Sequence, residues 1–180
     1  SMIRPIRQMT AVAERIIEGD LSQIVESGGR DEIGILARTF NHMTSELTRY
    51  MEVLREQKED FRGIFENALE GLYQSTLEPN GRFIKANPAL ATILGYETPA
   101  ALLASITDIR QQFYLHPEDR DRLLKAIADH QKIAGFEVQC RRKDGRVIWV
   151  SISASLHDQN VIVGFITDIT ARKQAEEELA

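Results

Sequence analysis

Apolar residues recur at helical spacing in the first third of the chain, and beyond about Ile64 they mostly alternate with polar ones. Near the start Ile6, Met9, Ala13 and Ile16 repeat in steps of three and four, which predicts a helix over Ile3–Glu18 with one apolar stripe. Pro5 lies near its beginning, where a missing N–H costs little, and Gly19 follows as the C′ residue. The polar stretch Asp20–Arg30 reads as a connector whose Leu21 and Val25 pack back on helices. The clearest pattern follows. Ile33, Leu36, Phe40, Met43, Leu47, Tyr50 and Leu54 alternate in steps of three and four, and the same seam continues through Gln57 and Phe61 to Ile64. A lone helix on a globular core drifts towards a 3.6-residue repeat, so a sustained heptad predicts a coiled coil with partner helices. Gln57, the polar interruption, either loosens the coil locally or fixes its register, or is simply a tolerated polar residue near a coil end. Asp31 and Glu32 fall in the first turn of this helix, where the macrodipole favours anions.

The remainder predicts a mixed region. Leu69–Thr76 and Arg82–Ala86 read as strands around the turn Glu78-Pro79-Asn80-Gly81. Three X-Pro pairs, Asn87-Pro88, Thr98-Pro99 and His116-Pro117, each open a helix, the last running to about His130. Ala134–Arg142 and Arg146–Leu156 form a hairpin across Lys143-Asp144-Gly145, and Val161–Thr167 is a last strand. A charged helix begins at Ala171. Two strands, several short helices, three strands and a helix predict an α+β layer with a five-stranded antiparallel sheet, not the alternation of a Rossmann fold.

The bulk numbers narrow the class. With 180 residues, 43% hydrophobic and 27% charged, the chain has room for one ordinary domain and a smaller unit. A net charge of −5 without a basic stripe argues against nucleic acid as a partner, and equally against an anionic membrane surface. The single cysteine, Cys140, rules out an intrachain disulfide and suits a reducing compartment. No apolar run approaches the roughly 18 residues that span a bilayer. Ser1-Met2 reads as an added start, so the chain is expected to be a piece of a longer protein.

The N-terminal motifs resemble a HAMP domain: Pro5, Gly19-Asp20-Leu21, the block Asp31-Glu32-Ile33-Gly34 with Leu36, and Phe40-Asn41 with Met43. The later ones are similar to a PAS domain. They are Phe65-Glu66-Asn67-Ala68 with Glu70-Gly71, Asn87-Pro88-Ala89, Gly95-Tyr96, His116-Pro117-Glu118-Asp119-Arg120, Lys143-Asp144-Gly145 and Asp168-Ile169-Thr170. The resemblance implies an all-α parallel four-helix coiled-coil dimer followed by an α+β PAS fold. It divides the chain into a HAMP relay (1–56), a helical linker (57–64), a PAS sensor (65–171) and the start of an output helix (172–180). It implies no catalysis in this segment but intramolecular signal transduction on the cytoplasmic side of a bacterial inner membrane. A transmembrane helix would precede it and an output domain would follow, a histidine kinase first and a diguanylate cyclase as alternative.

The relay residues are expected to be Pro5, Gly19, Leu21, Val25, Asp31, Glu32, Ile33, Gly34 and Phe40, with Asp168 and Thr170 at the exit, where Thr170 caps the outgoing helix. Ile93, Leu94, Phe113, Phe136, Val138, Val150 and Phe165 either line a ligand pocket or fill a dry core. No cofactor is expected. His116, His130 and His157 lack metal-ligand spacing, and His130, the one haem candidate, stands in the wrong surroundings. Asn87 is followed by Pro88 rather than by a flavin-adduct cysteine, and Cys140 reads as an apolar filler. His42 lacks the acidic neighbour of a phosphoacceptor. A small-molecule-binding PAS module is the alternative reading.

Overall fold

The computed structural model describes residues 3–26 and 31–179, with the side chains described from residue 6 onwards. Two compact units emerge, Ser1–Phe61 and Arg62–Ala180. The expected roles of Pro5's side chain and of residues 27–30 lie outside the described parts.

In the first unit, α1 (Ile3–Ile17) ends in a Schellman motif. Gly19 N–H donates to the Ile16 carbonyl and Asp20 N–H to that of Arg15, with Gly19 at φ +96°. The Asp20 carboxylate then accepts from Ser22 N–H and Oγ and from Gln23 Nε2, an Asx turn that opens the connector. Asp31 precedes α2 (Glu32–Asn67), a helix of 36 residues. Its carboxylate accepts from Gly34 N–H at 3.0 Å, so Asp31 is the N-cap and not a first-turn residue as expected; Glu32 alone occupies that turn. The small core consists of Met9, Val12, Val25 and Ala37, with Ile16 and Phe40 at its margin. Ile6 of the predicted α1 stripe is half exposed and Val12 takes the buried place, so the stripe is rotated from the one the sequence predicts.

The second unit contains β1 (Gly71–Thr76), β2 (Phe83–Ala86), α3 (Pro88–Ile93), α4 (Pro99–Ser105), α5 (Ile109–Gln112), α6 (Glu118–His130), β3 (Lys132–Arg141), β4 (Val147–Asp158), β5 (Val161–Asp168) and α7 (Thr170–Glu178). Its five strands form one antiparallel sheet in the order β2-β1-β5-β4-β3. Asn87 and Thr98 cap α3 and α4 with proline at the first helical position, as predicted. The four-residue α5 was not predicted; it is capped by Asp108 and docks through Ile109 and Arg110 N–H groups on the β1–β2 turn. Ile148, Val150, Ile152 and Ala154 of β4 and Ile162 and Ile166 of β5 face the helices. Leu90, Leu94, Leu102, Ile106, Leu123 and Ile127 meet them from the helical layer.

Candidate functional site

The first candidate surface is on α2, where two stripes lie one residue apart. Gly34, Ala37, Asn41, Thr44 and Thr48 form a small and polar stripe in which Gly34, Ala37 and Thr44 are buried. Asn41 clamps the connector with both ends of its amide: Oδ1 accepts from Val25 N–H at 2.9 Å and Nδ2 donates to the Val25 carbonyl at 2.8 Å. Val25 is thereby held fully buried against Met9, Val12 and Ala37. The predicted heptad seam is the neighbouring stripe, and most of it is solvent-exposed. Leu36, Met43, Leu47, Tyr50, Leu54, Phe61 and Ile64 are 43–70% exposed, while Ile33 and Phe40 are half-buried. Ala13, Ile16 and Ile17 of α1 and Phe40, Met43 and Leu47 of α2 border an open apolar groove of about 390 Å³.

A second candidate is the amide of Asn87, fully buried at the start of the second unit. Nδ2 donates to the carbonyls of Phe65 (3.0 Å) and Glu70 (2.9 Å); Oδ1 accepts from Leu72 N–H (2.9 Å) and Leu90 N–H (3.0 Å). One side chain therefore joins the last turn of α2, the segment before β1, β1 itself and α3. The sequence reading found its cap and missed the other three bonds, because only the capped helix adjoins it in the chain.

The exit joins β5 to α7. Thr170 Oγ1 donates to the Asp168 carboxylate at 2.6 Å and accepts from Trp149 N–H at 3.1 Å, and Asp168 also receives the Thr170 N–H at 2.9 Å. Ile169 N–H bonds the Trp149 carbonyl. Thr170 is thus the first residue of α7 and not its cap. Its hydroxyl is engaged with Asp168 and with Trp149 on the adjacent strand, and no side-chain cap bond forms at the N-cap of the helix, Ile169. Glu137 of β3 accepts from Arg172 Nη2 and Lys173 Nζ, both at 2.6 Å, and Lys173 lies over the Trp149 ring at 5.1 Å. Hydrogen bonds from Lys173 and Arg172 hold the Glu137 carboxyl below its ordinary pKa.

The seven expected pocket residues do not converge on a ligand-sized void. Leu94, Phe113, Val138 and Val150 are buried in the core, with Ile93 and Phe136 half-buried against it. Phe165 is a correction. Strand alternation puts Ile162 and Ile166 inward and Phe165 on the opposite face of the sheet, 38% exposed. A small cavity of about 10 Å³ does lie in the core, and of the seven only Phe113 borders it. Cys140 is buried beside Val138, and burial pushes its thiol up to about 12. Among the described residues no group of His, Cys, Asp and Glu could hold a metal, and no helix is long and apolar enough to cross a membrane.

The HAMP domain family matches residues 1–49 and the PAS domain family residues 72–171. The chain is 45% identical over 47 residues to the methyl-accepting chemotaxis protein TlpA of Bacillus subtilis, a match covering 26% of this chain and 7% of that protein. It is 26% identical over 172 residues to the sensor histidine kinase TmoS of Ectopseudomonas mendocina, covering 91% of this chain and 17% of that one. The chain thus spans a small fraction of these relatives' lengths. The PAS domain of an HTR-like protein from Haloarcula marismortui superposes with a TM-score of 0.53 at 21% identity, covering 68% of this chain and 99% of that one, which establishes the shared fold. The motifs from Asn87-Pro88 to Asp168-Ile169-Thr170 lie within a family match spanning more than half of the sequence, and the chain belongs to the PAS domain family, with a HAMP domain at its N-terminal end.

Proposed function

We propose that this chain is a non-catalytic relay of a membrane sensor, working as a homodimer. A transmembrane helix before it would move the HAMP helices, and a domain after it would read the state of α7. The likeness to a sensor histidine kinase supports a kinase, rather than a diguanylate cyclase, as that output, and supports a place on the cytoplasmic side of a bacterial inner membrane. In this reading residues 1–56 form the relay domain, 57–64 the linker, 65–171 the sensor and 172–180 the start of the output helix.

The observation that carries the proposal is the solvent exposure of the α2 seam at Leu36, Met43, Leu47, Tyr50 and Leu54. An apolar stripe of this length in water is a large unfavourable exposure. The apolar groove beside it accepts the seam of a second copy, giving four parallel helices. Gly19, Leu21, Val25, Asp31, Glu32, Ile33, Gly34 and Phe40 then set the packing, together with Pro5, and a change between two packings is the signal. Asn87 receives it from the carbonyl of Phe65, and Asp168 and Thr170 pass it to α7. The buried Leu94, Phe113, Val138 and Val150 transmit by packing, which supports relay over ligand sensing.

Oxidative cross-linking tests this. Tyr50→Cys and Leu54→Cys, on the seam, form covalent dimers, and Glu52→Cys, on the opposite side of α2, does not. Light scattering gives twice the chain mass. A single-chain mass with no seam-selective cross-linking overturns the proposal.

A further inference from the structure

Arg120 is a buried cation with no carboxylate at ion-pair distance among the described residues. Its side chain on α6 is 2% exposed, and it takes part in none of the ion pairs among the described residues. Nη2 donates to the carbonyls of Thr76 (2.8 Å) and Glu78 (3.1 Å), and the guanidinium fills the space where a side chain at Gly81 would sit. Gly81 lies at φ +63°, so the β1–β2 turn has closed around the cation. The adjacent acid, Asp119, is engaged by Arg122. The Glu78 side chain is turned to the Thr76 hydroxyl at 3.4 Å.

Two polar atoms in this neighbourhood have no hydrogen-bond partner although fully enclosed: Nε of Arg120 and Oγ of Ser75, the latter on a side chain that is 0% exposed. Both residues border the core cavity of about 10 Å³, with Tyr73 and Tyr114 also in its wall. Desolvation raises both phenols, so they are neutral hydroxyls at physiological pH and supply no negative charge. Buried donors are ordinarily satisfied and buried charges ordinarily compensated, and here both rules fail at one place. The void is about the size of one water molecule, so a halide ion, somewhat larger, fits only if the surrounding side chains give slightly. A water molecule would accept from Nε–H but leave the positive charge unbalanced. A monatomic anion accepts from both Nε–H and Oγ–H and balances it.

We propose that this cavity is a binding site for one halide ion, chloride in the cell, held between Arg120 Nε and Ser75 Oγ. The site is independent of dimerisation and of the relay. Its occupant ties the β1–β2 turn to the start of α6, so halide concentration sets the stability of the sensor unit.

The test follows thermal unfolding of the full 180-residue chain by Trp149 fluorescence at constant ionic strength, exchanging gluconate for chloride or bromide. The midpoint rises with either halide and saturates. Ser75→Val, which fills the void and removes the hydroxyl, raises the half-saturating concentration at least ten-fold. Crystals grown with bromide show an anomalous peak between Ser75 Oγ and Arg120 Nε. A water in that position in the presence of bromide overturns the proposal, as does an equal halide response from wild type and Ser75→Val. Should Ser75→Val fail to fold, the bromide scattering of the wild-type protein decides alone.

Discussion

Replacing Asn87, itself fully buried, by alanine removes four hydrogen bonds at once, three of them part-buried and the one to Leu90 buried. The N-cap bond to Leu90 is worth about 1 kcal/mol. The bonds to Leu72, Phe65 and Glu70 contribute about 1 kcal/mol each, as ordinary intramolecular hydrogen bonds do. The expected destabilisation of the sensor unit is therefore about 4 kcal/mol. Trp149, the single tryptophan, lies in that unit and reports its unfolding in urea. With an m-value of about 2 kcal/mol/M, the midpoint falls by about 2 M. Asn87→Asp separates the two halves of the amide. It keeps an acceptor for Leu72 and Leu90 but sets a carboxylate against the Phe65 and Glu70 carbonyls, so it too is destabilised at neutral pH. Amide exchange at Leu72 and Leu90 speeds up in the alanine variant and stays slower in the aspartate one. A loss below about 1 kcal/mol for Asn87→Ala, the worth of the cap alone, refutes the assignment of Asn87 as a four-way junction.

Gly164→Ala puts a Cβ 2.5 Å from the Ser153 carbonyl oxygen and 2.9 Å from Ala154 Cβ; a loss of about 3 kcal/mol in urea unfolding is expected, since the obstacle is backbone. The depressed pKa of Glu137 fixes a pH dependence for the docking of α7. The contribution is complete above the ordinary glutamate value of 4.5 and is lost as pH falls through the lower folded-state value. Trp149 emission under Lys173 follows that loss, which high salt mimics and Glu137→Gln abolishes. Cys140, with its thiol pushed up to about 12 and no exposure, reacts with a thiol reagent at pH 8 only as fast as the sensor unit unfolds; a rapid stoichiometric reaction contradicts the burial.

What the sequence discloses depends on how local the cause is. Asn87-Pro88 and Thr98-Pro99 announce their helices because cap and proline act within one turn. The α2 heptads are legible because periodicity is a property of one segment, yet the same pattern does not say which stripe meets α1. Gly34, Ala37 and Thr44 take that place because small side chains let α1 and the connector approach, and Asn41 adds the clamp on Val25. Phe165 is misread because Gly164 interrupts the alternation of apolar residues, so an aromatic on the outer face looks like part of the core. The Thr170–Trp149 bonds, 21 residues apart, and those from Arg120 to Thr76 and Glu78, more than 40 apart, are created by the sheet and leave no signal in local composition.

The four-residue core of the first unit has a consequence for how the protein behaves on dilution. Met9, Val12, Val25 and Ala37 give too little buried area to hold two helices and a connector against chain entropy, whereas the second unit has a full interior of its own. If the seam is covered only by another copy, protein concentration acts on one end of the molecule and not on the other. At nanomolar concentrations α1 frays while the sheet keeps its melting point. If, as proposed, a transmembrane helix tethers each chain to one membrane, two chains share a small patch of lipid, the local concentration stays high and the helices hold their shape.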